Sequence, residues 1–254
     1  MKNPRILFCI PNMAGGGAER QLVYLAGELV SRKWDVHVAL TKGGPNYDAL
    51  VSTGCRIHKI PCLNNHDIMI LLRLMILIRR IRPQLVQTWM RQMDVLGGIA
   101  SILTGVPFIL SERNCEAAYP LSIKHLLRVC AGRFAVCIIS NSFGGSRYWQ
   151  KMTGSGTRTH IVKNLLPLTR IENVGPSACG IDLPSTSKVL LFAGRFSAQK
   201  NIETIIDAFE IVSSQKDVVL LLCGEGELRS RAEELVLRKN LASKVFFLGY
   251  VQNV

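Results

Sequence analysis

Apolar positions along the chain recur with two alternating periods. Ile6-Leu7-Phe8-Cys9-Ile10 is a short unbroken apolar run closed by Pro11 and a glycine cluster, as a buried parallel strand requires. From Ala18 to Arg32 the residues Leu22, Val23, Leu25, Ala26, Leu29 and Val30 repeat at the 3.6-residue period of a helix. Further strands are expected at 36–40, 56–60, 85–89, 108–110 and 135–139, with helices over 67–81, 94–104, 121–132 and 143–152 between them. Asn65 or Asp67 is placed to cap the 67–81 helix, and Pro83 lies beyond its end. Strand–helix–strand units at this spacing predict an α/β fold with parallel sheets and helices on both faces.

Gly175, Pro176, Gly180, Pro184 and a run of Ser and Thr interrupt the beat over 169–187, which reads as a linker. It divides a first domain, 1–168, from a second, 188–254. The second shows strands at 189–193, 218–222 and 245–248 and helices at 201–214 and 227–240, the βαβαβ of half a doubly wound nucleotide-binding domain. The second domain is therefore expected to be incomplete, with strand 189–193 as an exposed apolar edge.

Charge sharpens this division. Residues 1–170 carry 22 basic and 8 acidic side chains, whereas 171–254 carry 9 and 10, so the cationic excess belongs to the first part. With 48% hydrophobic residues the 254-residue chain has ample core, which excludes a disordered protein. The eight cysteines include no C-x-x-C pair, so reduced, scattered thiols are expected rather than a disulfide framework or a zinc site. The N-terminus does not read as a signal peptide. The longest apolar stretch, Ile68 to Ile78, is broken by Arg73 and is too short to span a bilayer.

Three strand ends carry candidate chemistry. Met13-Ala14-Gly15-Gly16-Gly17-Ala18-Glu19 joins the first strand to the first helix, where close backbone and free N–H groups suit an anion. A tight turn is the plain alternative. The spacing is neither G-x-G-x-x-G nor G-x-x-x-x-G-K-[ST], which disfavours a dehydrogenase or a P-loop NTPase. Phe192-Ala193-Gly194-Arg195-Phe196-Ser197-Ala198-Gln199-Lys200-Asn201 places Arg195 and Lys200 around a second such turn, able to converge on one phosphate. Cys223-Gly224-Glu225-Gly226 follows the next strand.

These stretches resemble the retaining, glycogen-synthase-like glycosyltransferases of family 4, whose GT-B fold sets two Rossmann-like domains about a cleft. ILFCIPNMAGGGAERQLVYLAGELVSRKWDVHVAL resembles the family's acceptor-side domain. VLLFAGRFSAQKNIETIIDAF, VVLLLCGEGELR and VFFLGYV resemble the start of its nucleotide-sugar domain. The resemblance implies transfer of a hexosyl unit, with retention, from a UDP- or GDP-type donor to a saccharide acceptor, lipid-linked, in cell-surface polysaccharide or lipopolysaccharide synthesis. It implies that Arg195 and Lys200 hold the donor diphosphate, with Gly16 and Gly17 bringing backbone to the same phosphates. Gly194, Gly224 and Gly226 would line the nucleotide pocket, with Tyr250 and Val251 near the base. No cofactor and no metal is expected, since the cations stand where other transferases use Mg²⁺. Arg113, in Ser111-Glu112-Arg113-Asn114, is the nearest match to a family histidine that faces the sugar; a surface ion pair with Glu112 or Glu116 is its alternative. The family's paired glutamates are not reached by Val254, which implies a truncated, inactive chain. A non-catalytic anion-binding or membrane-associated remnant is therefore the competing reading.

The run from Ile68 to Arg82 is apolar over most of its circumference and carries Arg73, Arg79 and Arg80. It reads either as a helix packed on the sheet or as an interfacial helix whose arginines meet anionic lipid. The resemblance favours the latter and a cytoplasmic location on the inner face of the plasma membrane. Nucleic acid ranks behind both, because no helix-turn-helix, zinc finger or aromatic RNA-binding pattern occurs.

Overall fold

The structure is a computed structural model that describes residues 3–64, 67–114, 122–154, 157–168, 172–173 and 188–251. The chain divides into two compact units, Met1–Glu172 and Asn173–Val254. The expected 169–187 linker falls largely outside the described residues, as do Asn65, Glu116, Cys115 and Cys179.

The first unit is a seven-stranded sheet built from β1 (Arg5–Cys9), β2 (Asp35–Leu40), β3 (Arg56–Lys59), β4 (Leu85–Trp89), β5 (Phe108–Glu112), β6 (Cys137–Ser140) and β7 (Thr159–Ile161). Their order is β3-β2-β1-β4-β5-β6-β7, and every pairing is parallel. Helices α1 (Gly17–Ser31) and α2 (Tyr47–Val51) pack with one core cluster that includes Phe8, Leu22 and Trp89. Helices α3 (Met69–Ile81), α4 (Met90–Thr104), α5 (Ile123–Phe134) and α6 (Phe143–Thr153) supply a second, which holds Leu74, Met93, Ile138 and Trp149. Right-handed crossovers account for this division: the chain moves one way through β1, β2 and β3 and the other way from β4 onward. The strand order reverses between β1 and β4, where ligands of such sheets bind.

Local chemistry sets the ends of the elements. The Asp67 carboxylate accepts the N–H groups of Met69 at 2.9 Å and Leu63 at 3.1 Å, so it serves the start of α3. Arg82 closes the helix in a left-handed turn (φ 53°) before Pro83. Helix α4 starts at Met90, four residues before its expected position, because Met90 takes φ 68° and turns the chain directly from β4 into helix. Helix α2 and strand β7 are too short, at 5 and 3 residues, to show a period.

One buried ionic knot ties the second helix layer together. The Arg128 guanidinium on α5 reaches Asp94 at 2.7 Å and Glu112 at 3.0 Å, and all three residues are fully buried. Thr88 donates to Asp94, Trp149 donates to Glu112, and the guanidinium lies 4.9 Å from the Trp149 ring centre. Burial pushes the Asp94 carboxyl up to about 6 despite the neighbouring guanidinium.

The second unit is a three-stranded parallel sheet, β10 (Val245–Gly249), β9 (Val218–Cys223) and β8 (Lys188–Ala193), in that order. Helices α7 (Ile202–Ser213) and α8 (Arg229–Arg238) join them around a core of Phe196, Ile206, Phe209, Leu220 and Val236. Central β9 is buried throughout, whereas β8 is an edge strand on which Val189, Leu190 and Leu191 are exposed. The apolar edge expected at 189–193 is present. The described cysteines, namely Cys9, Cys55, Cys62, Cys130, Cys137 and Cys223, are all free thiols.

Candidate functional site

In the first unit the candidate site gathers at the carboxyl ends of β1, β4 and β5. The loop after β1 is held open by its neighbours. Asn46 N–H donates to the Met13 carbonyl at 3.0 Å, the Asn46 side chain donates to the Ala14 carbonyl, and Asn12 accepts the Ala14 N–H at 3.1 Å. Helix α1 then begins at Gly17 with Gly16, which has no side chain to cap with, as its cap, and the buried Glu19 carboxylate lies beside that turn. The first-turn N–H groups and the positive end of the helix dipole are what an anionic oxygen would meet. A Cβ at Gly15 or Gly17 would touch nothing within 4 Å, while one at Gly16 would meet the Glu19 carboxylate at 2.5 Å.

Arg113 leaves the end of β5 and lies over the Trp89 ring at the end of β4, 4.3 Å from its centre. Its guanidinium donates to the Asn164 side chain at 3.1 Å, and burial lowers it to about 10. Glu112 points inward to Arg128 and Trp149, so Arg113 stacks on an aromatic face instead of making the surface ion pair with Glu112. Trp89, Asn46 and Asn164 were not legible as site residues. Each acquires its position from a partner at least 24 residues away, and none belongs to a motif.

In the second unit three strand-end turns form one backbone ledge. Gly194 N–H donates to the Cys223 carbonyl at 2.9 Å, Phe196 N–H to the Glu225 carbonyl at 2.9 Å, and Gly224 N–H to the Gly249 carbonyl at 2.7 Å. A Cβ at Gly224 (φ 142°) would lie 1.9 Å from the Gly194 carbonyl oxygen, and one at Gly226 would lie 2.3 Å from that of Phe196. These glycines are therefore required by the approach of turn to turn. Phe196 is fully buried and anchors the first turn against Phe192 and Phe247.

On that ledge Arg195 and Lys200 are exposed, and among the described residues neither makes a side-chain hydrogen bond or ion pair. Lys200 ends a short 3₁₀ turn, and Asn201 in a left-handed conformation (φ 48°) leads directly into α7. Both cations thus flank a helix N-terminus on a rigid turn. By contrast, Arg229 is committed to Glu225 and Glu233. Tyr250 and Val251 follow β10, and the Tyr250 ring is exposed.

The cations of α3 are placed unequally. Arg73 is tied to the Pro61 carbonyl and lies 3.8 Å from Asp67, while Arg79 and Arg80 are exposed. Arg73 therefore engages the Pro61 carbonyl and Asp67 and is not a free surface cation.

Residues 15–170 match the family model of Glycosyltransferase Family 4, and residues 180–254 match that of Glycosyl transferases group 1. An N-acetylgalactosamine-N,N'-diacetylbacillosaminyl-diphospho-undecaprenol 4-alpha-N-acetylgalactosaminyltransferase of Campylobacter jejuni is 24% identical, over 96% of this chain and 69% of that protein. The lipopolysaccharide core biosynthesis glycosyltransferase LpsE of Rhizobium meliloti is 24% identical, over 92% of this chain and 64% of that protein. An uncharacterized glycosyltransferase of Methanocaldococcus jannaschii is 34% identical over only 28% of this chain and 18% of its own length. Among solved structures, Anabaena HepE in complex with UDP and glucose shares the fold with a TM-score of 0.79, at 19% identity over 99% of this chain and 70% of that one.

Proposed function

The chain belongs to glycosyltransferase family 4, and on that premise we propose that it transfers a hexosyl unit from a UDP- or GDP-type donor to a lipid-linked saccharide acceptor, with retention at the anomeric carbon. The observation that carries this reading is the pair of cations, Arg195 and Lys200, that have no side-chain partner among the described residues, on a turn fixed by backbone hydrogen bonds and by buried Phe196. As the nucleoside diphosphate departs, negative charge collects on its bridging and terminal oxygens. A guanidinium fork and an ammonium placed beforehand stabilise that charge without reorganising. In this proposal they do the work that Mg²⁺ does in other transferases, and the backbone at Gly16 and Gly17 with the α1 N-terminus is an anion-binding element of the first unit. The ledge of Gly194, Gly224 and Gly226 bounds the nucleotide, Tyr250 and Val251 flank its base, and Arg113 on Trp89 contacts the sugar or a phosphate.

The Campylobacter and Rhizobium relatives, which by name act on a diphospho-undecaprenol saccharide and in lipopolysaccharide core synthesis, support an acceptor in cell-surface polysaccharide or lipopolysaccharide assembly. That chemistry belongs on the cytoplasmic face of the plasma membrane, with the protein bound peripherally. Among the described residues no helix is long and apolar enough to cross a membrane. The test combines titration with UDP, GDP and ADP and a transfer assay using a polyprenyl-diphosphate saccharide. Saturable UDP or GDP binding is expected of this chain, and a product of unchanged anomeric configuration is expected of a version that carries the paired-glutamate segment, which the sequence reading places beyond Val254. Binding without transfer would mark an anion-binding remnant, and absence of both would contradict the reading.

A further inference from the structure

At the carboxyl ends of β4 and β5 the stack of Arg113 on Trp89 holds two donors that nothing engages. The Trp89 indole is fully buried, and its Nε1–H has no hydrogen-bond partner among the described residues. The same is true of the buried Nε–H of Arg113. A buried donor without a partner has given up its hydration for nothing, so two of them in one stack mark a place where an acceptor belongs. Each N–H bond lies in the plane of its own group and so points out at the edge of the stack. The guanidinium carbon is 4.3 Å from the ring centre, close enough for both donors to meet one oxygen.

The stack also carries a positive charge that no described carboxylate balances. Glu112 precedes Arg113 but gives its carboxylate to Arg128, to the Trp149 indole and to the Asn114 N–H. Asp94, on the second turn of α4, is turned to Arg128 and Thr88. Among the described residues the one side-chain hydrogen bond of Arg113, at 3.1 Å, goes to the neutral amide of Asn164. Trp89 is besides the cap residue of α4, a 15-residue helix whose first turn holds no acidic side chain, so the positive end of its dipole meets the same stack. A hydroxyl needs an acceptor for its own proton, and the only acceptor in this group is the Asn164 oxygen already in use. Two donors, a cation and a helix N-terminus suit an oxyanion instead.

We propose that Trp89 and Arg113 form a seat for a phosphate oxygen, to which the indole N–H and the guanidinium Nε–H donate together at the N-terminus of α4. Without a ligand the stack covers both N–H groups. The oxygen enters as the guanidinium leaves Asn164 and slides along the ring, a side-chain motion that gives up one hydrogen bond to a neutral amide for charge-assisted ones. Trp89 is thereby a ligand-binding residue and not only a platform for Arg113. The phosphate belongs either to the nucleotide donor or to a diphosphate-linked acceptor, which present the same chemistry. The role of the seat in transfer rests on the function proposed above, whereas the seat itself stands on its unpartnered donors and uncompensated charge.

The experiment is calorimetric titration of the 254-residue chain carrying Arg195→Ala and Lys200→Ala, which removes the second unit's cations, with pyrophosphate, UDP, farnesyl diphosphate and glucose. Pyrophosphate is expected to bind. Trp89→Phe, which keeps a ring for the stack and loses the N–H, should weaken it about tenfold, and Arg113→Gln by at least as much. Independently, pyrophosphate should change the indole emission of the Trp34→Phe protein, and this change should vanish once Arg113→Gln is added. Farnesyl diphosphate binding that depends on Trp89 assigns the seat to the acceptor, and UDP binding that depends on Trp89 assigns it to the donor. Absence of pyrophosphate binding, an affinity unaltered by either variant, or binding of glucose in place of pyrophosphate would each overturn the seat. If pyrophosphate binds the seat while the parent chain fails to bind UDP, the donor reading falls and the seat stands. UDP binding to the parent that is lost with Arg195 and Lys200, without any pyrophosphate binding to the seat, gives the reverse.

Discussion

In the first unit, Gly15 and Gly17 stand after β1 with nothing within 4 Å of where a Cβ would be, whereas in the second unit a Cβ at Gly224 would lie 1.9 Å from the Gly194 carbonyl oxygen. The cations divide in the opposite sense. In the first unit Arg128 is locked to two buried carboxylates and Arg113 is stacked on Trp89 and bonded to Asn164. In the second, Arg195 and Lys200 are exposed and unengaged among the described residues. At these positions the first unit leaves Gly15 and Gly17 open and engages Arg113 and Arg128, whereas the second packs its glycine turns against one another and leaves Arg195 and Lys200 without a side-chain partner among the described residues.

The contrast breaks most severely if a committed cation is removed. Arg128→Ala strands Asp94 and Glu112 in a dry interior and should cost about 3–5 kcal/mol, read as a lower denaturant midpoint of the first unit. Gly224→Ala should cost the second unit about 3 kcal/mol, through clash and a φ of 142° that alanine rarely adopts, with the first unit's transition unmoved. Gly17→Ala is the opposite case: the added methyl meets open space inside a helix, so stability should rise by up to about 1 kcal/mol while nucleotide affinity falls.

The finest difference is in response to acid, since all five histidines precede residue 161. His37 Nδ1 lies 2.8 Å from His58 Nε2, and burial lowers both imidazoles below the usual range, with Arg56 and, at His58, Arg80 adding to it. Both rings therefore bind a proton less readily in the fold than in the unfolded chain, although Asp35 beside His37 opposes part of this effect. In the unfolded chain they take protons near pH 6.5, at roughly the ordinary histidine value. Their contribution to stability is present above that pH and is lost as pH falls below it. Asp94 acts in the reverse sense: with its folded value near 6 and its unfolded value near 4, its contribution is lost as pH rises through about 6. Denaturant titrations at pH 7.5, 6.5 and 5.5 should show a shallower acid loss in His58→Gln than in the parent, with the second unit's transition unchanged.

The parallel sheets were legible because β1 and β9 carry continuous apolar runs, Ile6 to Ile10 closed by Pro11 and Val218 to Cys223 closed by Gly224, a pattern that burial on both faces explains. The Arg195 and Lys200 turn was legible for a related reason: its cations and its glycine lie within seven residues of one another. What stayed hidden depends on distant partners. The Arg128 knot joins residues 34 apart in sequence, so nothing local distinguishes Arg128 from a surface arginine. The reason for glycine at 224 is the backbone of residue 194, and the early start of α4 follows from the positive φ of Met90, which no methionine announces.

The central claim, that free cations on the second unit's ledge hold a nucleoside diphosphate, is tested most directly by calorimetric titration of UDP and GDP into the parent chain and into Arg195→Ala, Lys200→Ala and Arg231→Ala. Arg231 is another exposed arginine of the same unit, but it is paired with Glu203, so its removal should leave affinity unchanged. Loss of Arg195 or Lys200 should weaken binding by about 1.5–3 kcal/mol, roughly tenfold to 150-fold, as charge-assisted hydrogen bonds require. Affinity equal to the parent in both variants, or an equal loss in Arg231→Ala, would contradict the account.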